Sequence, residues 1–334
     1  MYRIANDWFP KKERDLAMHI MTQSNNIGGG FGAIIPVYQV VVGSDIPYML
    51  TWIGVAATGI LILSAVFVPY SPPIHADYDA VLQDKLRSKV DVVNILGIYR
   101  QMLIDFHTMY QNRNFVLLFV SFSVQLGISW VFQAVVGQMI YPCNYGVDIV
   151  GGSLAGMGFA GVAGSFCIAW ILRRYNNHLL MQKVVTVLCC AACIWCLGVN
   201  VPGNAVLIIA SWIFYGFITG PLIPITLEHA AEITYPVPAD NSAALLFTGV
   251  NLLFLAVALG VTNLLTYDVS MNCTSNVSPS SILMFFAVII GAAVVLPMSA
   301  DFKRASVTKP IVLDSIEFGY SGSELDAKSK ELNM

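Results

Sequence analysis

Apolar residues run along this chain in long blocks. Eight of them, at 16–41, 48–70, 114–136, 149–172, 180–200, 204–227, 242–266 and 281–299, read as spanning helices, for which about 20 mostly apolar residues are needed. Between Asn114 and Val147 there is no charged residue, and none between Val184 and Leu227, where Val201-Pro-Gly-Asn204 breaks one run into two spans. A helix satisfies its own backbone hydrogen bonds, which is the condition lipid imposes. The expected fold class is therefore an all-α membrane protein. Residues 71–113 interrupt the series. Within them Val92, Val93, Leu96, Tyr99, Leu103, Phe106 and Tyr110 recur at helical spacing, which predicts an amphipathic helix on the membrane surface with Arg100 and Asp105 on its wet side. Residues 300–334, rich in Ser, Lys and acidic residues, read as a disordered tail.

Charge supplies an orientation. Alternation starting from the inside places Lys11, Lys12 and Arg14 on one face of the membrane, with Lys85, Arg87, Lys89, Arg100 and Arg113, then Arg173, Arg174 and Lys183, then Lys303, Arg304 and Lys309. The opposite loops, at 43–47, 140–148, 201–203 and 267–280, contain no Lys or Arg. Basic loops stay in the cytoplasm, so both termini are expected there. Asn272-Cys-Thr and Asn276-Val-Ser are glycosylation sequons in the longest outer loop. They suit a protein of the plasma membrane or an endomembrane.

Composition removes other classes. Only 11% of residues are charged while 57% are hydrophobic, against about 25% charged in soluble domains. A net charge of −3 without a basic run excludes a nucleic-acid partner. Of seven cysteines, Cys189, Cys190, Cys193 and Cys196 lie inside an apolar run without His, Asp or Glu. They read as small packing residues, the seven together show no metal or disulfide framework, and no cofactor is expected. Gly28, Gly29, Gly30 and Gly32 follow no strand and precede no Lys-Ser/Thr, so they ease helix packing and bind no nucleotide. No catalytic grouping of His, Asp or Ser lies at membrane depth, so an enzyme is not expected. No Asp, Glu, Lys or Arg sits in mid-span, which favours facilitated diffusion over proton coupling.

Polar side chains within spans face either a partner helix or a water-filled path. Gln23, Asn25, Asn26 and Gln39 share one span, Gln125 and Gln133 another, Asn251 and Asn263 a third. Their alternative role is helix-to-helix hydrogen bonding, about 0.6–2 kcal/mol each. Trp130 and Phe132, with Trp212 and Tyr215, offer an aromatic wall for a cation or interior packing. Glu228 and Glu232, one helical turn apart, could pair with Arg14, Arg173 or Arg174 to hold a cytoplasmic gate shut, or lie solvated in a loop.

Three stretches carry a family resemblance: Trp8-Phe-Pro-Lys-Lys-Glu-Arg14 followed by Asn25-Asn-Ile-Gly-Gly-Gly-Phe-Gly32, Trp170-Ile-Leu-Arg-Arg-Tyr175, and Glu228-His-Ala-Ala-Glu-Ile-Thr-Tyr-Pro236 followed by Ser242-Ala-Ala-Leu-Leu246. The third is distinctive, and Gln138-Met-Ile140 fits with it. The chain resembles the feline leukaemia virus subgroup C receptor-related transporters of the major facilitator superfamily, with Ala244 where that family carries glycine. The resemblance implies a major facilitator fold lacking its first four helices. Residues 1–70 would end the N-terminal half with helices 5 and 6. Residues 71–113 would form the central cytoplasmic loop, 114–299 the six-helix C-terminal half and 300–334 the cytoplasmic tail. It also implies alternating-access transport of a small organic solute, choline/ethanolamine-like or haem-like, by a uniporter. The family's two substrate-path glutamines fall on Asn26 and Asn251, and Gln125, Gln133 and Trp130 join them as path candidates. The competing reading is a non-transporting membrane subunit, a receptor-like remnant or an inactive fragment. The expected partners are a small-molecule substrate and the lipid bilayer.

Overall fold

The computed structural model describes residues 4, 8–9, 11–67, 95–140, 143–175, 177–199, 203–235, 237–268 and 279–299, a few side chains excepted. Those residues form ten α-helices and no strand: α1 (Lys11–Gln39), α2 (Ile46–Phe67), α3 (Ile95–Gln111), α4 (Arg113–Ile140), α5 (Val147–Tyr175), α6 (His178–Gly198), α7 (Ala205–Thr219), α8 (Leu222–Thr234), α9 (Ala239–Asp268) and α10 (Pro279–Val295). Each of the eight expected spans falls on a helix, with 204–227 carried by α7 and α8 on either side of Gly220-Pro221. Six stretches meet the length and apolarity a crossing requires, 43–67, 113–140, 147–172, 178–198, 205–234 and 239–265. The other two are α1, whose first turn bears charge and whose middle carries amides, and α10, with 17 residues. Helix starts are marked by asparagine caps. Asn177 accepts from the Leu180 N–H and Asn204 from the Leu207 N–H, each satisfying a donor the first helical turn leaves open.

α4 is the central post. It packs against α9 and α10, while α5 packs against α7 on one side and α1 on the other. Two apolar clusters are stacked along α4, one around Phe115, Leu118 and Phe122, the other around Ile128, Phe132 and Val136. α1 meets α5 nearly backbone to backbone. A methyl group on Gly158 would lie 2.7 Å from the Asn26 carbonyl oxygen and 3.1 Å from the Gly30 nitrogen. Small residues make such approach possible and dispersion then holds it. α2 buries none of its residues.

Two expectations are corrected. The connector helix α3 turns Asp105 inward. That carboxylate is buried and takes a 2.6 Å hydrogen bond from the Asn241 side chain, while the Asn112 amide donates to the Ile233 carbonyl at 2.9 Å. Arg100 is exposed as expected, but Leu103 and Tyr110, expected on the buried face, are 67% and 74% exposed. Asn241 at the start of α9 supplies the donor that lets a carboxylate be buried, and the buried stripe is Asp105, Phe106 and Met109. The second correction concerns cysteine. Cys143 is a half-cystine, so the chain does carry a disulfide. Cys167, Cys189, Cys190, Cys193 and Cys196 are free, and no metal-holding group occurs among the described residues. Asn272, Asn276, residues 68–94 and the tail 300–334 lie outside the described residues.

Candidate substrate cavity

A cavity of about 260 Å³ lies where α1, α4, α5 and the α7–α8 junction converge. α1 contributes Asn25 and Asn26, α4 contributes Ser129, Trp130 and Gln133, and Thr219 closes the far side. Gly158, Gly161, Gly216 and Gly220 also line it, and the missing side chains there let the backbones of α1, α5 and α7 approach closely. Among the described residues, no charged side chain lines it.

The polarity of this lining follows from its hydrogen bonds. A backbone carbonyl can only accept, so a side-chain amide bonded to one must present its NH2. Gln133 donates Nε2 to the Ser129 carbonyl at 3.1 Å, which leaves its Oε1 as the free end. Gln23, one turn before Asn26 and almost fully buried, donates Nε2 to the Gly220 carbonyl at 3.3 Å. Its Oε1 then receives the Asn26 Nδ2 at 2.7 Å, leaving Asn26 Oδ1 as the free end. Thr219 donates its hydroxyl proton to the Tyr215 carbonyl at 3.0 Å. Asn26, Gln133 and Thr219 each commit a donor to the protein, and each keeps an acceptor oxygen. Beside them stands Trp130, held in a stacked pair with Phe247 (6.5 Å between centroids) and edge-on to Phe254 (6.4 Å).

The structure thus gathers Asn26, Gln133 and Trp130 at one cavity. The other path candidates lie elsewhere. Gln125 is buried and donates to the Val288 carbonyl at 3.2 Å. Asn251 is exposed and donates to the Phe247 carbonyl of its own helix at 2.7 Å. Phe132 and Trp212 stack at 4.4 Å in the core, with Tyr215 edge-on to both. Ser129, Thr219 and the role of Gln23 were not singled out from sequence. The spacings Ser129/Gln133 and Gln23/Asn26, four and three residues along one helix face, are the signal that could have found them.

At the cytoplasmic gate, the side chains of Arg14 and Arg173 lie outside the described residues, and Arg174 is exposed. Glu228 and Glu232 are half-buried. The Glu228 Oε2 is sealed from solvent without a hydrogen-bond partner and faces a small void shared with His19 and His178. His19 is itself tied across helices, its Nδ1 standing 2.6 Å from the Ser165 hydroxyl.

A bundle of apolar helices around a neutral, polar-and-aromatic cavity defines a multi-pass integral membrane protein of the solute-carrier class. Residues 1–257 match the model of the Major Facilitator Superfamily, and the chain belongs to that superfamily. It is similar to an uncharacterised MFS-type transporter of Caenorhabditis elegans, 26% identical over 257 residues, which cover 73% of this chain and 41% of that protein. It is also similar to the choline/ethanolamine transporter FLVCR1 of Felis catus, 25% identical over 73% of this chain and 44% of the relative. The human choline/ethanolamine transporter FLVCR2 is 23% identical over 94% of this chain and 58% of its own length. The chain spans about half the length of the curated relatives it matches.

Proposed function

We propose that the chain takes part in facilitated, alternating-access transport of a small organic cation of the choline or ethanolamine kind, with the cavity bounded by Asn26, Gln133 and Trp130 as its binding site. The observation that carries this reading is the uncharged lining in which Asn26, Gln133 and Thr219 keep acceptor oxygens beside the Trp130 ring. A site offering carbonyl and hydroxyl oxygens beside an aromatic face suits an ammonium group, through N–H···O bonds for a primary amine and through the ring for a quaternary one. It suits an anion poorly, since no positive charge lines it among the described residues. A volume of about 260 Å³ lies just below the range usual for drug-sized ligands, which favours a choline-sized solute over a haem-like one. The names of FLVCR1 and FLVCR2 as choline/ethanolamine transporters point the same way.

Several assignments attach to this proposal. Helices α1 and α2 close the N-terminal half and α4–α10 form the C-terminal half, with α1 against α5 along the seam. Glu228 and Glu232 work with Arg14, Arg173 and Arg174 at the cytoplasmic side of that seam. Both termini face the cytoplasm, and Asn272 and Asn276 are glycosylation sites. Asn251 is a second path residue that the substrate meets outside the cavity.

The test is uptake and efflux of labelled choline and ethanolamine in cells expressing the chain within its full-length transcript, with variants at Asn26. Asn26→Asp keeps acceptor oxygens and adds charge, so the KM for the cation stays the same or falls. Asn26→Leu removes the acceptor and raises KM about tenfold, for a loss near 1.4 kcal/mol. Equal transport by wild type and Asn26→Leu, or tighter handling of an organic anion, would sink the reading.

A further inference from the structure

We infer that Gln23 is the positioning residue that fixes the polarity of the binding site, and that it does so by reaching across the seam to the break between α7 and α8. The inference rests on the proposed cavity and deepens it. A free asparagine amide can turn either its oxygen or its NH2 toward a ligand, and nothing intrinsic to Asn26 chooses. Gln23 makes the choice. The Gly220 carbonyl has no proton to give, so Gln23 must face it with Nε2. Gln23 Oε1 can then only accept, so Asn26 must offer Nδ2. Each step removes one of two orientations, and the outcome is an acceptor at Asn26. Gly220 is suited to start the relay because it ends α7 immediately before Pro221, and because it, too, lines the cavity. Gln23 itself does not line the cavity and is 1% exposed, so its influence on a ligand passes through Asn26. It also binds α1 to the α7–α8 junction, so the groups that orient Asn26 come from both sides of the seam.

The decisive experiment is a double-variant cycle read by choline affinity, measured as the ligand-induced shift in thermal unfolding in nanodiscs and as transport KM. Gln23→Ala frees the Asn26 amide, and choline affinity is expected to fall about fivefold or more while Vmax changes little. Asn26→Asp has no NH2 to turn inward, so Gln23→Ala placed on that background changes affinity less than twofold. If Gln23→Ala costs the same on both backgrounds, Gln23 serves packing alone and the inference fails. Gln23→Glu supplies the rescue arm. It still accepts from Asn26 Nδ2 while losing the donor to Gly220, so it retains choline binding that Gln23→Ala loses. A second measurement does not depend on choline being the substrate. In protein labelled with 15N at the asparagine side chains, the Asn26 NH2 resonance, assigned by its absence in Asn26→Asp, moves in Gln23→Ala and loses its protection from hydrogen exchange. An unmoved resonance overturns the inference, even where choline binds. A moved resonance without any choline binding keeps the relay and sinks the proposed substrate.

Discussion

At the residue scale, the site is a matter of which end of each amide is free. Polar groups cost energy inside a bilayer unless they are bonded; Gln133 meets that demand by donating to a carbonyl of its own helix and Asn26 by donating to Gln23. In both, the amide oxygen is the atom with no bond to the protein. Trp130 completes the site from the same helix as Gln133. Its ring is kept in place by Phe247 and Phe254, and a cation over an indole face gains about 0.5–2 kcal/mol. Trp130→Leu is therefore expected to raise the KM for choline about two- to thirtyfold, and Trp130→Phe to fall between it and wild type, in the same uptake assay. A transporter indifferent to Trp130→Leu would leave the tryptophan as packing. Sequence alone singled out Asn26, Gln133 and Trp130 as polar or aromatic residues in spans. It could not rank them above Gln125 and Asn251, because the difference is which carbonyl lies within 3 Å or so of each amide. For Gln125 that carbonyl belongs to Val288, 163 residues away, and no local pattern encodes it.

At the element scale, hydrophobic runs located the helices well, since lipid leaves a 20-residue apolar segment few alternatives to helix. The exception in orientation is α3. Its sequence has apolar residues on more than one side, so periodicity admitted two buried faces, and the partner chose between them. The partner is Asn241, whose amide meets Asp105. Asp105→Ala leaves that amide short of a buried acceptor, at a cost of about 1–3 kcal/mol. The expected result is a lower unfolding temperature and faster deuterium uptake in residues 95–111, with the spans unchanged. Uptake unchanged in that segment would mean that the apolar contacts of Phe106 and Met109 hold α3 unaided. A second element-scale test concerns the seam between α1 and α5. Gly158→Ala drives a methyl group against the Asn26 carbonyl, and overpacking of this kind costs about 1–3 kcal/mol. Gly152→Ala, on the same helix, meets nothing within 4 Å and is expected to be neutral or slightly stabilising. Thermal unfolding of the pair in nanodiscs separates a packing effect from mere loss of a glycine. If both variants behaved alike, α1 would not be held against α5 at this point.

At the scale of the whole molecule, the arrangement is a bundle hung on α4, with one flank, α1, closing the cavity and another element, α2, left without buried residues. Members of the major facilitator superfamily place a solute site between two helical halves, which is the arrangement proposed for the cavity beside α1. What the chain's sequence offers at this scale is an expected orientation, through charges at the ends of helices. Arg113 at the start of α4 and Arg174 at the end of α5 are exposed, and Lys183, near the start of α6, donates to the Leu296 carbonyl just beyond α10 at 2.7 Å. All three sit at the ends of helices assigned to the cytoplasmic face, whereas the opposite ends, near Val147 and Asn204, carry no Lys or Arg. Such a bias sets which ends remain inside during insertion. Two single substitutions test it directly. Val147 is 70% exposed and Arg174 is exposed, so a cysteine at either position is open to labelling. In intact cells, a membrane-impermeant maleimide is expected to label Val147→Cys and to spare Arg174→Cys until the membrane is permeabilised. Among the described residues, four of the five free cysteines are buried, and the fifth, Cys167, is exposed within α5 away from both ends, so a Cys167→Ser background keeps the labelling specific. Labelling in the reverse order would invert the molecule, move the Glu228–Glu232 segment to the outer face, and remove the basis for calling it a cytoplasmic gate.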